Sequence, residues 1–327
     1  MAGGPQLPDA AKNSPPGNSF LEKQCLPFLT SAQNPNGGWG YRPGSQSSVE
    51  PTSWALLALA GAARSAALEK AIQRGAGWLR ETQLRDGSWP AYAGQREGCW
   101  VTALGCLALH TLGVAPEAVA NGVAWLCEEW PGEGGFWWRL RHRLFSRTTE
   151  IRQNYYFRGW SWSPGTSSWV EPTSYALIVL RNARGLSLPR RATLRVRLGE
   201  GMLYDRMCPA GGWNCGNPLV YGVAGEPQVG PTAWALLALQ DHRERTENQR
   251  SLDWLAHEYE QIRGPGSLAL AHICLEVHGR PTPPLEPALE RLYLTNEFFH
   301  HVPVVAWAGV ALSPAQPWLQ WAPREVA

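Results

Sequence analysis

Aspartate is scarce in this chain: there are five, at positions 9, 86, 205, 241 and 253, scattered along 327 residues. An α/α-barrel hydrolase or lyase acting on carbohydrate needs paired carboxylates on the loops of one rim, and these aspartates do not supply them. Charge of one sign is missing too. With 29 basic and 27 acidic residues the formal net charge is +2, which leaves no nucleic-acid footprint and no acidic tail. The seven cysteines form no Cys-x-x-Cys pair, which excludes a disulfide framework and points to a reducing compartment. Long apolar runs are absent as well. Trp54 to Ala63 and Val302 to Leu312 are the longest, far short of the ~20 residues of a spanning helix. Residues 1–18 are rich in proline and glycine, lack an apolar segment and read as a flexible tail, not a signal peptide. The expectation is a cytoplasmic protein, either soluble or peripheral on a membrane.

Tryptophan is what the chain has in excess. There are 18, against 9 Tyr and 7 Phe, and a hydrophobic fraction of 44% excludes general disorder. Self-comparison explains part of the excess, because one phrase recurs. Val49-Glu-Pro-Thr-Ser-Trp-Ala-Leu-Leu-Ala-Leu59 is matched by Val170-Glu-Pro-Thr-Ser-Tyr-Ala-Leu-Ile-Val-Leu180 and by Gly230-Pro-Thr-Ala-Trp-Ala-Leu-Leu-Ala-Leu239. Weaker copies begin at Thr102 and Val305, and Ser267 to Val277 fills a sixth slot. Each copy reads as a helix starting at the Pro-Thr pair, since proline suits a first turn and the Ala/Leu run has high helix propensity. Apolar residues on every face make it a helix buried all round.

Gly-Trp loops precede the strong copies, with Trp39, Trp89, Trp162 and Trp213 read as anchors that brace them. Ahead of the loops lie more amphipathic outer segments, at about 19–33, 68–83, 116–129, 188–205, 246–262 and 284–294. Six inner and six outer helices predict an all-α ring, an α/α toroid over 19–315, with a C-terminal tail at 316–327. The third unit carries an insertion at about 130–159.

Gln33-x3-Gly37-x-Trp39 and Gln83-x3-Gly87-x-Trp89 resemble the Gln-Trp repeats of squalene-hopene and oxidosqualene cyclases. The Gly-Gly-Trp loop before an inner helix resembles the wider prenyltransferase/squalene oxidase repeat superfamily, which includes protein prenyltransferase β subunits. The resemblance implies a terpenoid-cyclase-like toroid whose cavity takes a polyprenoid or triterpenoid chain. Two family motifs do not occur. The Asp-x-Asp-Asp acid falls by repeat alignment on Ser48-x-Glu50-Pro51 and Ser168-x-Val170-Glu171-Pro172, leaving one carboxylate per unit. The zinc-binding Asp-x-Cys falls on Val229-Gly-Pro-Thr232, so neither a metal nor another cofactor is expected.

Candidate site residues follow. Glu50 and Glu171 either hold the N-termini of inner helices, where the macrodipole favours negative charge, or act as a general acid or polar anchor. Trp54, Tyr175, Trp234 and Trp307 share one repeat position. They either form an aromatic collar that contacts substrate and stabilises carbocations, or pack between inner and outer helices. His272 is read as a core or cavity histidine. Within the insertion Trp137, Trp138, Arg139, Arg141 and Arg143 mix aromatic and cationic groups, which suits a membrane interface or a diphosphate, and equally a solvated basic lid. Two functions remain in play: a terpene cyclase-like or prenyl-transferring enzyme, and a non-catalytic toroid that binds a lipid or a partner protein.

Overall fold

A computed structural model describes residues 20–133, 135, 137, 140, 144, 153–183, 188–296, 300–313 and 316–319. Trp138, Arg139, Arg141 and Arg143 lie outside the described residues. Among those described, six helices form an inner ring: α2 (Val49–Ala60), α4 (Val101–Leu112), α6 (Val170–Asn182), α8 (Val229–Ala238), α10 (Pro265–Val277) and α12 (Val302–Leu312). Six lie outside: α1 (Leu26–Ser31), α3 (Ala66–Thr82), α5 (Pro116–Glu128), α7 (Ala192–Asp205), α9 (Thr246–Glu258) and α11 (Leu285–Asn296). Each inner helix packs on the next and α12 packs back on α2, so the ring is closed.

Composition explains the closure. From Val49 to Leu59 every residue of α2 except Glu50 is buried, and a helix without a polar face must be surrounded. Helices α2, α6 and α8 begin at Val49, Val170 and Val229, two residues before the prolines that were expected to open them. Pro51, Pro172 and Pro231 still fall within the first turn, where the missing N–H removes no intrahelical bond.

A single clasp, used four times, ties loop to inner helix. The backbone N–H groups of Trp39, Trp89, Trp160 and Trp213 each donate at 2.9 Å to the hydroxyls of Thr52, Thr102, Thr173 and Thr232. The indole N–H groups of the same tryptophans donate to Leu29, Leu79, Leu126 and Leu203 carbonyls on the preceding outer helices, at 2.6–2.8 Å. Bracing is therefore the role of Trp160 and not of Trp162. The interval to the threonine separates the two: Trp160 lies 13 residues before Thr173, as Trp39 does before Thr52 and Trp89 before Thr102. Trp162 lies two residues further on and packs edge-on against Trp100, with ring centroids 4.8 Å apart.

The glutamines of the Gln-Trp motifs hold the loops from below. Gln33 Nε2 donates to the carbonyls of Gly37 and Ala71, and Gln83 Nε2 to those of Gly87 and Ala118, at 2.8–2.9 Å. Gly37 and Gly87 have φ of +95° and +88°, and a Cβ on either would lie 2.6 Å from a carbonyl oxygen of the next outer helix. That contact sets how closely consecutive units stack.

Residues 316–319 are not a tail. Pro317–Leu319 form a 3₁₀ turn with Trp318 and Leu319 buried. Their carbonyls accept from the amides of Asn182 (2.9 Å) and Gln240 (2.7 Å), at the C-terminal ends of α6 and α8. The turn plugs that end of the ring. Nearby, the buried Arg181 pairs with Glu200 and Asp241, which ties α6 to α7 and to the turn after α8.

Candidate active site

The opposite rim is built from the N-terminal turns of the inner helices. There α2 places Glu50 and α6 places Glu171, one residue past the start of each helix. Neither carboxylate accepts a backbone N–H among the described residues. Glu50 instead accepts a short hydrogen bond from the Tyr41 hydroxyl, contributed by the loop after Trp39. Burial raises the pKa of Glu50 above the ordinary carboxylate value. The Tyr41 bond opposes this, as does the nearby Trp54 indole, whose N–H makes no hydrogen bond of full geometry.

Glu171 is pushed up to about 7, first by burial and second by the negative charge of Glu50. The charge of Glu50 therefore bears on Glu171 across the ring, though the two come from different units of the sequence. A helix N-terminus favours the ionised form by roughly 0.3–1 kcal/mol. A displacement from 4.5 to about 7 corresponds to roughly 3 kcal/mol in the other direction. Desolvation wins. Gly230, which occupies the equivalent position in the third strong copy, leaves room beside Glu171: a Cβ there would lie 4.0 Å from Glu171 Oε1.

Below the carboxyls the aromatic rings converge on the axis. Trp54 meets Tyr175 at 6.1 Å, Trp234 at 5.3 Å and Trp307 at 5.9 Å between centroids, and Tyr175 meets Trp234 at 4.9 Å. These rings come from four inner helices and touch each other rather than packing between inner and outer layers. The Tyr175 hydroxyl is held strongly in its neutral form by burial, then by Glu171 and Glu50, which sets it under the carboxyls.

The cluster also includes rings that did not share the repeat position. Trp100 stacks on Tyr175 at 5.6 Å, and Trp318 meets Trp54 at 6.1 Å from the plug. Trp100 had a sequence signal, since it aligns with Glu50 and Glu171. Trp318 had none, lying outside every repeat. Trp234 and Trp307 keep buried indole N–H groups with no hydrogen-bond partner, and that of Trp54 lies beside Glu50 without a bond of full geometry. His272 is not part of this centre. It sits on α10 and bonds through Nδ1 to Thr282 (3.0 Å) and Tyr259 (3.3 Å).

In the insertion, Trp137 is 75% and Leu144 66% exposed. Trp130, at its start, lies under the guanidinium groups of Arg158 and Arg195, each 4.2 Å from the ring centroid.

A closed all-α ring with Gln-Trp loops around an aromatic axis is the fold of a squalene-cyclase-like toroid. Residues 11–98 match the family model of the squalene-hopene cyclase C-terminal domain. The fold is shared with a protein from Actinoplanes at 16% identity, covering 93% of this chain and 83% of that chain, with a TM-score of 0.52. It is also shared with a variant of the type II terpene cyclase MstE from Scytonema, in complex with the substrate geranylgeranyl dihydroxybenzoate (14% identity, 93% and 81% coverage, TM-score 0.52). An alpha-amylase from Clostridium perfringens has the same fold at 10% identity, with 92% and 98% coverage and a TM-score of 0.58. At these identities the likeness is one of fold, and the chemistry has to come from the site.

Proposed function

We propose that this chain is an isoprenoid- or triterpenoid-handling enzyme that takes a polyprenoid chain into the aromatic axis and uses the Glu50–Glu171 pair as its acid. The observation that carries this reading is the pair itself: two carboxyls brought to one rim, neither capping a backbone N–H, with Glu171 near 7. A carboxyl in that range is partly protonated at neutral pH and can donate its proton to an oxygen function such as an epoxide, whereas an unactivated double bond needs a stronger acid. The rings below suit an apolar chain and stabilise positive charge by roughly 0.5–2 kcal/mol per cation–π contact. Their buried indole N–H groups are donors for an oxygen on the ligand.

The test is incubation of purified protein with squalene, its epoxide and prenyl diphosphates, with products read by mass spectrometry and binding by thermal shift. Glu50→Gln combined with Glu171→Gln is expected to lower turnover by about 10²-fold or more while leaving the thermal shift in place. Absence of both product and shift for every ligand rejects the reading.

The filling of the axis favours a second reading, a non-catalytic toroid that binds a lipid or a partner protein. Trp54, Trp234 and Trp318 are almost wholly buried against each other, so a chain could enter only by displacing rings. That reading expects no turnover from the parent and full ligand retention in the double variant.

No helix among the described residues is long and apolar enough to cross a membrane. We place a peripheral membrane contact at the insertion, because exposed Trp137 and Leu144 lie in a stretch whose sequence carries six arginines. Co-sedimentation with phosphatidylglycerol vesicles is expected for the parent, and Trp137→Ser with Leu144→Ser should cut the bound fraction severalfold. A parent that stays in the supernatant rules this contact out.

A further inference from the structure

The loops at the carboxyl rim share a register. Two residues past the clasp tryptophans stand Tyr41, Ala91, Trp162 and Cys215. In all four the backbone carbonyl accepts an N–H from the start of the inner helix of the preceding unit. The donors are Val302 (3.0 Å), Val49 (2.9 Å), Trp100 (3.5 Å) and Val170 (3.1 Å), in that order. The backbone does the same work each time, so the side chain at this position is free to differ. The Val302 bond also joins the last unit to the first, which makes Tyr41 a closing point of the ring.

Each carboxyl follows one of these residues at the same interval, Glu50 nine residues after Tyr41 and Glu171 likewise after Trp162. Here the two units diverge. The Tyr41 hydroxyl donates to Glu50 Oε2. Trp162 instead turns its ring edge-on to Trp100, 4.8 Å between centroids, and donates no hydrogen bond to Glu171 among the described residues. Two carboxyls in equivalent sequence positions thus have unequal donors: Glu50 has the phenol and the adjacent Trp54 indole, Glu171 has neither. A hydrogen bond donated to a carboxylate favours its charged form.

A phenol serves this purpose only while it keeps its proton. Burial, and then the Glu50 charge, push the Tyr41 hydroxyl above the ordinary phenol value, so it remains a donor wherever a carboxyl titrates. The other titratable groups around the pair are the Cys99 thiol near Glu50, the Cys215 thiol near Glu171, and Tyr175, which feels both. Burial raises all three, and they stay neutral at physiological pH. No basic side chain acts on either carboxyl among the described residues. What distinguishes the two carboxyls is the donor.

We propose that Tyr41 is a positioning residue that decides which carboxyl of the pair holds the proton: it fixes Glu50 as the charged member and leaves the proton on Glu171. It acts through Glu50. That this proton is the one delivered to an oxygen of the ligand rests on the function proposed above, whereas its placement does not.

Carboxyl titration by NMR of the full chain, ¹³C-labelled at glutamate, tests this without any substrate, with Glu50→Gln and Glu171→Gln assigning the two signals. In the parent, Glu171 is expected to titrate above Glu50. Tyr41→Phe removes the hydroxyl and keeps the backbone bond to Val302. It should raise Glu50 and, as that charge is neutralised, lower Glu171, narrowing the gap by at least about one pH unit. Tyr41→Trp, which copies the third unit, should do the same. Variants that lose stability but leave both titrations in place make Tyr41 a loop contact and overturn the proposal. A rise of Glu50 without a fall of Glu171, or a parent in which Glu50 titrates above Glu171, overturns it as well. Titrations that move as expected in a protein without turnover support this placement and count only against the function proposed above.

Discussion

Trp160→Ala is expected to lower the unfolding free energy by about 3–5 kcal/mol, the range for deleting a large buried aromatic, with a further loss from stranding a cation. Trp160 is 2% exposed, so nearly the whole side-chain area is lost from the core. Its indole bond to the Leu126 carbonyl goes with it. Arg195 is 0% exposed and lies over Trp160, 4.0 Å from its ring centroid, and over Trp130 on the other side. Without the ring a buried guanidinium keeps its bond to the Gly159 carbonyl (3.0 Å) but loses one of two π faces. Trp162→Ala, removing the half-buried neighbour that braces nothing, should cost less than half as much. Urea unfolding of both variants checks this, and equal losses would show that the clasp position is not distinctive.

Glu171→Gln is expected to stabilise the protein at neutral and alkaline pH, by an amount that vanishes in acid. Unfolded, Glu171 titrates at the ordinary carboxylate value of 4.5, and folded at about 7. Below 4.5 both states hold the proton and the group contributes nothing. As pH rises from 4.5 to about 7 the unfolded chain releases its proton while the folded chain retains it, so the native state loses stability over that window and no further above it. At about 1.4 kcal/mol per pH unit the loss reaches at most about 3 kcal/mol, less to the extent that water still reaches the carboxyl. Glutamine cannot titrate. Denaturant midpoints near pH 5 and near pH 8 should therefore diverge between parent and variant, with the variant ahead at the higher pH. A difference that is the same at both would mean that Glu171 is not held protonated by the fold.

The repeat architecture was legible because its bonds are local. Trp39 finds the Leu29 carbonyl and Thr52 within a short stretch of chain, and the same distances along the sequence recur at Trp89. The assignment of Trp162 failed because Gly159-Trp-Ser-Trp offers two tryptophans. The interval of 13 residues from the clasp tryptophan to its threonine, seen for Trp39 and Trp89, selects Trp160. Trp318 could not be read, since a proline-flanked tryptophan beyond the last repeat has no register to place it. For His272 the spacing showed an inner-helix position. Thr282, which orients it, lies past the end of α10, where no periodicity applies.

Sequence alone determined the units of this protein: helices apolar on all faces, which only a closed ring can bury, and glycine loops that only a clasped tryptophan holds still. It also placed Glu50 and Glu171 at equivalent positions. Their coupling, the elevation of Glu171, the convergence of the rings and the plug at Trp318 were decided by the tertiary structure. The reason is that desolvation and Coulomb interaction depend on distance through space and on what excludes water. Those quantities exist only once the sixth unit has packed against the first.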